Sequence, residues 1–361
     1  MSVEFIGYVG TSYASETHPA RSKGIDRDHV RAAAQAHDRY GFDRVLVAFH
    51  STSPDSTQVA NYITAVTDRV NVMIAHRPGF AAPTVAARTF ATFDQFSQGR
   101  VGIHIITGGS DPEQRQDGDF LNKAERYARS DEYVGLLKRM WTEEKPFNHE
   151  GQFYKAENAF SDVKPWQAQI PVYFGGSSDE AIDVAGRRAD IYALWGETRD
   201  QVRETVARVR ASAARYGRDV RFSLSFRPIL ADTEEKAWAR AEAIVARTKE
   251  VRAAAGLGAP VTPANVGSQR LLEAAAKGLR PEGRLFTGVA AATGARGNST
   301  ALVGTPEQVA LALLDYYDLG VTTFLIRGFD VIEDAIQYGQ ELIPATKRLI
   351  AEREAAATAA E

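Results

Sequence analysis

Eight short runs rich in β-branched and aromatic residues alternate along this chain with longer amphipathic runs rich in Ala, Arg and Glu. The short runs are Val3–Val9, Arg44–Phe49, Asn71–Ala75, Val101–Thr107, Pro171–Gly175, Ile191–Trp195, Arg221–Leu230 and Thr323–Phe329. Helical patterns lie between them: Asp28–Tyr40, Asp55–Thr67, Pro83–Phe96, Ala124–Trp141, Ser178–Arg188, Arg199–Tyr216, Thr233–Ala254 and Pro306–Leu319. Val331–Glu354 closes the series. Strand–helix alternation predicts a parallel sheet, and eight units are the number that close a (β/α)8 TIM barrel. Runs such as Val-Gly-Ile-His-Ile-Ile (101–106) are apolar at nearly every position, as strands covered on both faces must be. A doubly wound open sheet shares the rhythm. The count of eight, with no G-x-G-x-x-G after the first strand, favours the barrel.

The punctuation agrees with that reading. Asp55 and Ser178 stand where N-caps belong, and Pro83 and Pro306 suit first-turn positions. Tyr40-Gly41 and Leu319-Gly320 end helices ahead of the next strand. We therefore expect one TIM-barrel domain over 1–361 with two insertions. Residues 143–170, aromatic-rich around Asn-His-Glu-Gly, read as a β-hairpin after helix four. Residues 255–300, rich in Gly, Ala and Pro, are too long for a plain connection and read as a mobile lid before strand eight. The Ala-rich end, AEREAAATAAE, reads as a fraying helix.

Composition narrows the chemistry. The chain has no cysteine, which removes disulfides, thiolate metal sites and a cysteine nucleophile. A net charge of −3 with interspersed signs gives neither a nucleic-acid footprint nor a basic membrane face. MSVEFIGYVG lacks the form of a signal peptide and no apolar run could span a bilayer, so a soluble, cytoplasmic location is expected. The seven histidines show no helical zinc spacing and no carboxylate cluster, so no metal is expected. His29 and His37 read as solvated on a surface helix, and His104 as a core histidine inside its strand. G-x-S-x-G and P-loop motifs are absent.

In a TIM barrel the reacting groups stand at the carboxyl ends of the strands. Here those are Tyr8 and Thr11, then His50, Ser51 and Ser53, then His76 and Arg77, then Thr107 to Ser110, Gly175 to Ser178, Trp195, Arg227, and finally Arg327 and Phe329. The turn Phe174-Gly175-Gly176-Ser177-Ser178 runs from a strand into a helix. Glycine there lets backbone approach a ligand, and serine hydroxyls with free N–H groups suit a phosphate. A plain capped βα turn would look the same. Glycine and serine turns, aromatics and arginines without a nucleophile or metal point to a cofactor that carries the chemistry itself.

Longer strings add a resemblance. Arg77-Pro78, Pro83-Thr84-Val85-Ala86-Ala87-Arg88 and Gly99-Arg100 resemble a segment of the bacterial-luciferase-like flavin monooxygenases. So do Thr107-Gly108, Ser110-Asp111-Pro112, Glu125-Arg126-Tyr127, Tyr173 to Ser178 and Trp195-Gly196-Glu197. Val266-Gly267-Ser268-Gln269-Arg270 and Thr300-Ala301-Leu302-Val303-Gly304 look most like the alkanesulfonate monooxygenase branch.

The resemblance implies a two-component enzyme that receives FMN as FMNH2 from a separate NAD(P)H:FMN reductase and forms an oxygenated flavin with O2. It also implies a homodimer or homotetramer. In that branch a small alkanesulfonate is split to aldehyde and sulfite, a step of sulfur metabolism. By the same match Tyr127, Gly176, Ser177 and Ser178 hold the FMN phosphate, and Tyr8, Ser53, Ala75 and Thr107 flank the ring. Trp195 and Phe49 add aromatic walls. Arg227, Arg296, Trp195 and His50 are the substrate-side candidates, with Arg77 and Arg327 as further cations. The chain departs from the branch at four places. Ser53 stands for its cysteine, Ser225 and Arg227 for an arginine and a histidine, and Phe329 for a tyrosine, while Arg296 matches the lid arginine with a one-residue displacement. A monooxygenase for a sulfone, amine or heterocycle, an F420-dependent oxidoreductase and a non-catalytic flavin-binding protein are the alternatives.

Overall fold

The structure is a computed structural model that describes residues 3–20, 24–261, 263 and 265–360. In chain order its strands are β1 (Glu4–Tyr8), β2 (Arg44–Val47), β3 (Asn71–His76), β4 (Val101–Ile105), β5 (Phe147–Glu150), β6 (Lys155–Ala159) and β7 (Val172–Gly175). They continue with β8 (Ile191–Trp195), β9 (Arg221–Phe226), β10 (Ile229–Leu230), β11 (Leu285–Phe286), β12 (Ala301–Gly304) and β13 (Val321–Ile326). Eight of them close a barrel in the order β1-β13-β9-β8-β7-β4-β3-β2. Each barrel strand neighbours the one before it in sequence, the single winding that repeated right-handed βα units produce. The pairing is parallel, as in Ile103↔Val172 and Phe5↔Phe324.

The chain divides into two compact units: the described residues of 1–45, 193–207 and 221–361, and those of 46–192 and 208–220. In the first unit, β1, β9 and β13 stand side by side, and Phe5, Phe222, Leu224, Phe226 and Phe324 are all but completely buried. In the second, β3, β4 and β7 pair in sequence, burying Val72, Ile74, Ile103, Ile105 and Phe174. Helices begin on side chains that satisfy their free N–H groups. Asp55 accepts from the Gln58 amide, Ser178 from Ala181, and Asn122 forms a capping box with Glu125.

Two strand ends differ from the sequence expectation. The seventh run stops at Phe226, because Pro228 has no N–H to give the ladder and the Arg227 amide turns to Thr300 O at 3.0 Å. Ile229–Leu230 then pairs with β12, outside the barrel. The eighth strand runs Val321–Ile326, and its expected last residue, Phe329, lies in a turn whose amides at 329 and 330 donate to Asp334 Oδ2 at 2.8 and 3.0 Å.

His29 and His37 are not solvated. They lie on the inward stripe of helix Arg27–Arg39 with Val30, Ala33 and Ala34, and His37 Nδ1 stands 2.7 Å from Ala33 O. Within 143–170, β5 and β6 pair antiparallel, and the Glu132 carboxylate accepts from the amides of Phe153 and Tyr154, both at 2.9 Å. Within 255–300, Thr262 and Ala264 lie outside the described residues. The segment carries helix Val266–Ala276, β11 and helix Gly288–Thr293. Leu271, Ala290 and Ala295 pack there against Trp195. Met1 and Ser2, ahead of the first run, and Glu361, the last residue of the Ala-rich end, lie outside the described residues. No helix among the described residues is long and apolar enough to cross a membrane.

Candidate active site

In the unit holding β3, β4 and β7, the carboxyl end of β7 delivers Gly176, Ser177 and Ser178 to the start of helix Asp179–Arg188. Gly176 has φ 129°, a region that favours glycine, and a Cβ there would stand 2.9 Å from the Tyr127 hydroxyl and 2.8 Å from the Ala181 methyl. Bare backbone therefore faces the phenol. Tyr127 hydrogen-bonds Ser178, and burial raises its pKa, so it stays a protonated donor. The Tyr192 hydroxyl donates to Gly176 O and fixes the turn. Two carboxylates share the helix's first turn: Asp179 pairs with Arg208 at 2.5 Å, and Glu180 hydrogen-bonds the Ser178 side chain and lies 4.0 Å from Lys123. Hydroxyl donors, an open glycine and a helix N-terminus of ten residues fit a phosphate.

The other strand ends of this unit are firmly tied. Thr107, largely buried, stands 3.3 Å from Ser130 through their hydroxyls. Ala75 is buried and its carbonyl accepts the Ser56 hydroxyl at 2.7 Å. Ser53 is exposed and closes a turn with His50, whose carbonyl accepts both its amide and its hydroxyl at 2.8 Å. His50 is also exposed, and its ring meets Thr52 at 3.0 Å and Glu113 at 3.7 Å. His76 reaches Tyr133 at 2.7 Å, and burial pushes it down to about 4, so it is neutral near pH 7. Arg77 is buried, paired with Glu113 at 2.7 Å and Asp117 at 3.3 Å, with its guanidinium 4.6 Å from the Phe49 ring centre. That arginine is already neutralised and offers little to a ligand anion.

In the unit holding β1, β9 and β13, Arg227 is fully buried. Its Nη1 lies 2.5 Å from Glu16, Nη2 donates to Gly328 O at 2.8 Å, and Nε to Arg327 O at 3.3 Å. The guanidinium stacks 3.7 Å from the Phe329 ring centre. Glu16 also faces Arg327, at 3.9 Å, which stacks 4.5 Å from the centre of the Tyr8 ring. Burial alone would raise the Glu16 carboxyl, but Arg227 and Arg327 outweigh it and hold the group near 2. Trp195, half-buried, packs beside Leu271 and Ala295. Arg296 is exposed and follows Ala295, which is buried at φ 51°. Close by in sequence, the Thr300 hydroxyl donates to Gly196 O at 2.6 Å.

The profile of the family described as "Luciferase-like monooxygenase" matches residues 8–323. The chain belongs to that family. Its fold recurs in solved structures. Riboflavin lyase, solved with modified FMN and its substrate riboflavin, is 19% identical at a TM-score of 0.78, covering 98% of this chain and 92% of that one. The EDTA monooxygenase of Chelativorans sp. BNC1 is 19% identical at 0.74, covering 96% and 94%. DmoA of Hyphomicrobium sulfonivorans is 18% identical at 0.74, covering 96% and 88%. An F420-dependent secondary alcohol dehydrogenase, 17% identical at 0.70 over 96% and 99%, shares the fold as well. Membership makes this chain a luciferase-like flavin-dependent monooxygenase.

Among the described residues no group of three or more His, Asp or Glu could hold a metal. Sequence reasoning passed over Glu16, Glu113 and Asp117, the carboxylates that claim Arg227 and Arg77. Each lies in a loop or short helix with no periodic signal of its own, so only their placement at strand ends could have drawn notice.

Proposed function

We propose that this luciferase-like monooxygenase is the oxygenase of a two-component system, taking reduced FMN from a separate reductase and oxidising a small organosulfur compound, an alkanesulfonate in first place. The observation that carries the FMN reading is the cradle at Gly176–Ser178 with the Tyr127 phenol, which fits a phosphate monoester. Reduced FMN, when bound, supplies the electrons that activate O2. With a sulfonate, one oxygen atom of O2 ends in the aldehyde and the other in water, while the carbon–sulfur bond breaks and sulfite leaves.

The chain's own residues bind and orient. In the unit of β3, β4 and β7, Tyr127, Ser177 and Ser178 hold the phosphate, and Thr107, Ala75 and Ser53 belong to the ring's surroundings. Phe49, in the same unit, supplies apolar surface that keeps water from the reacting centre. Arg227 acts through its neighbours, since its N–H groups are committed to Glu16 and two carbonyls. Arg327 and the exposed Arg296 are the cations open to a substrate anion.

A coupled assay with an FMN reductase, NADH and O2, run on a panel of sulfonates and read as sulfite release, tests the proposal. Sulfite above the reductase-only control supports it. Its absence, with another product formed at the expense of O2, moves the substrate to sulfones, amines or heterocycles. The fold shared with an F420-dependent dehydrogenase sustains a second reading, hydride transfer without O2, which turnover under strict anaerobiosis would favour.

A further inference from the structure

The three charged groups at the ends of β1, β9 and β13 do not balance. Arg227 and Arg327 bring two guanidiniums, and Glu16 brings one carboxylate through a single oxygen, Oε2, at 2.5 and 3.9 Å. Arg227 is sealed from solvent, whereas the side chains of Glu16 and Arg327 are each about a quarter exposed. Arg327 Nε is buried without a hydrogen-bond partner. The carboxylates nearby are engaged elsewhere: Arg240 takes Asp330 at 2.9 Å and Asp334 at 2.6 Å, and Glu333 accepts the Tyr13 hydroxyl at 2.9 Å.

Glu16 does not hang from a loose loop. Ser15 and His18 exchange backbone hydrogen bonds across it at 2.8 and 3.2 Å, and Arg247 Nε donates to Thr17 O at 3.3 Å. A tight turn thus presents one carboxylate to two arginines, leaving one positive charge, on Arg327, open to a ligand.

We propose that Glu16 is the charge-selecting residue of the substrate site, setting Arg327 to accept a ligand that carries a single negative charge. The proposal rests on the monooxygenase reading for the meaning of the site, but its test needs no turnover. A monoanion completes the neutralisation of two arginines that Glu16 leaves half done. A neutral ligand leaves Arg327 uncompensated, and a dianion meets Glu16 with excess negative charge. Removing Glu16 would shift the preference toward two charges.

Three tetrahedral probes of nearly equal size make the test: dimethyl sulfone, methanesulfonate, and methylphosphonate at a pH where it is a dianion. Each is titrated calorimetrically into the full chain. We expect the wild type to bind methanesulfonate about tenfold more tightly than either of the others. Glu16→Gln should move the methylphosphonate-to-methanesulfonate ratio about tenfold toward the dianion, while Arg327→Gln should weaken methanesulfonate about tenfold and leave dimethyl sulfone unchanged. Glu16→Asp, which keeps the charge, should retain the wild-type order and serves if Glu16→Gln does not fold. A wild type that binds none of the probes, or prefers the sulfone, overturns the proposal, and so does an unchanged ratio in Glu16→Gln. Failure of sulfite release with this charge order intact would instead count against the desulfonating reaction alone.

Discussion

Gly176 shows how much one residue can decide. Its φ of 129° and the absent Cβ leave backbone open opposite the Tyr127 hydroxyl, so any side chain there would both strain the turn and fill the cradle. Gly176→Ala should raise the Kd for FMN at least about tenfold, ~1.4 kcal/mol, as read from flavin fluorescence. Tyr127→Phe removes one donor and should cost less, about 1 kcal/mol. Wild-type FMN affinity in both variants would take this turn out of the flavin site. At the same scale the arginines separate by what they already hold. Arg77 and Arg227 spend their charge on Glu113, Asp117 and Glu16, whereas Arg327 only shares Glu16, at 3.9 Å.

The segment before β12 sets out what elements contribute. Helix Val266–Ala276 is pinned by Arg270, which pairs with the buried Glu197 at 2.9 Å and with Glu204 at 3.1 Å, and by Ser268, which donates to Ala295 O at 2.6 Å. Burial raises Glu197 against the pull of Arg270, so the pair depends on both members. Arg270→Ala should cost roughly 3 kcal/mol in urea unfolding, and the double variant with Glu197→Gln should recover part of that, because the loss comes from a stranded buried carboxylate. Additive losses would argue that the pair matters only through packing. If the segment closes over bound ligands, limited proteolysis should cut within 255–261, where Leu257 and Val261 are exposed, and FMN with substrate should slow it. Equal cutting with and without ligands would remove the lid from the account.

For the whole molecule, three histidines, His37 buried and His76 and His104 half-buried, set the response to acid. His37, His76 and His104 are each pushed by burial from 6.5 to about 4. Between those values the unfolded chain binds protons that the folded chain refuses, so stability should fall as pH falls through that window, by up to about 3 kcal/mol per histidine. Glu16, held near 2, adds a further loss below its ordinary value. Melting temperatures that stay flat from neutrality to the lower end of the window would contradict this. What the sequence determined by itself was local in origin. Eight apolar runs marked the barrel strands, side-chain caps such as Ser178 marked helix starts, and a glycine–serine turn marked a bare-backbone strand-to-helix junction at Gly176, because periodicity, capping and backbone freedom act within a few residues. What only the tertiary structure decided was which cations remain open to a ligand and which histidines lose their water. Arg227 meets Glu16 across 211 positions of chain, and Arg77 meets Glu113 across 36. Coulombic pairing and burial depend on where the closed barrel brings distant strand ends and loops together, and no local pattern encodes that distance.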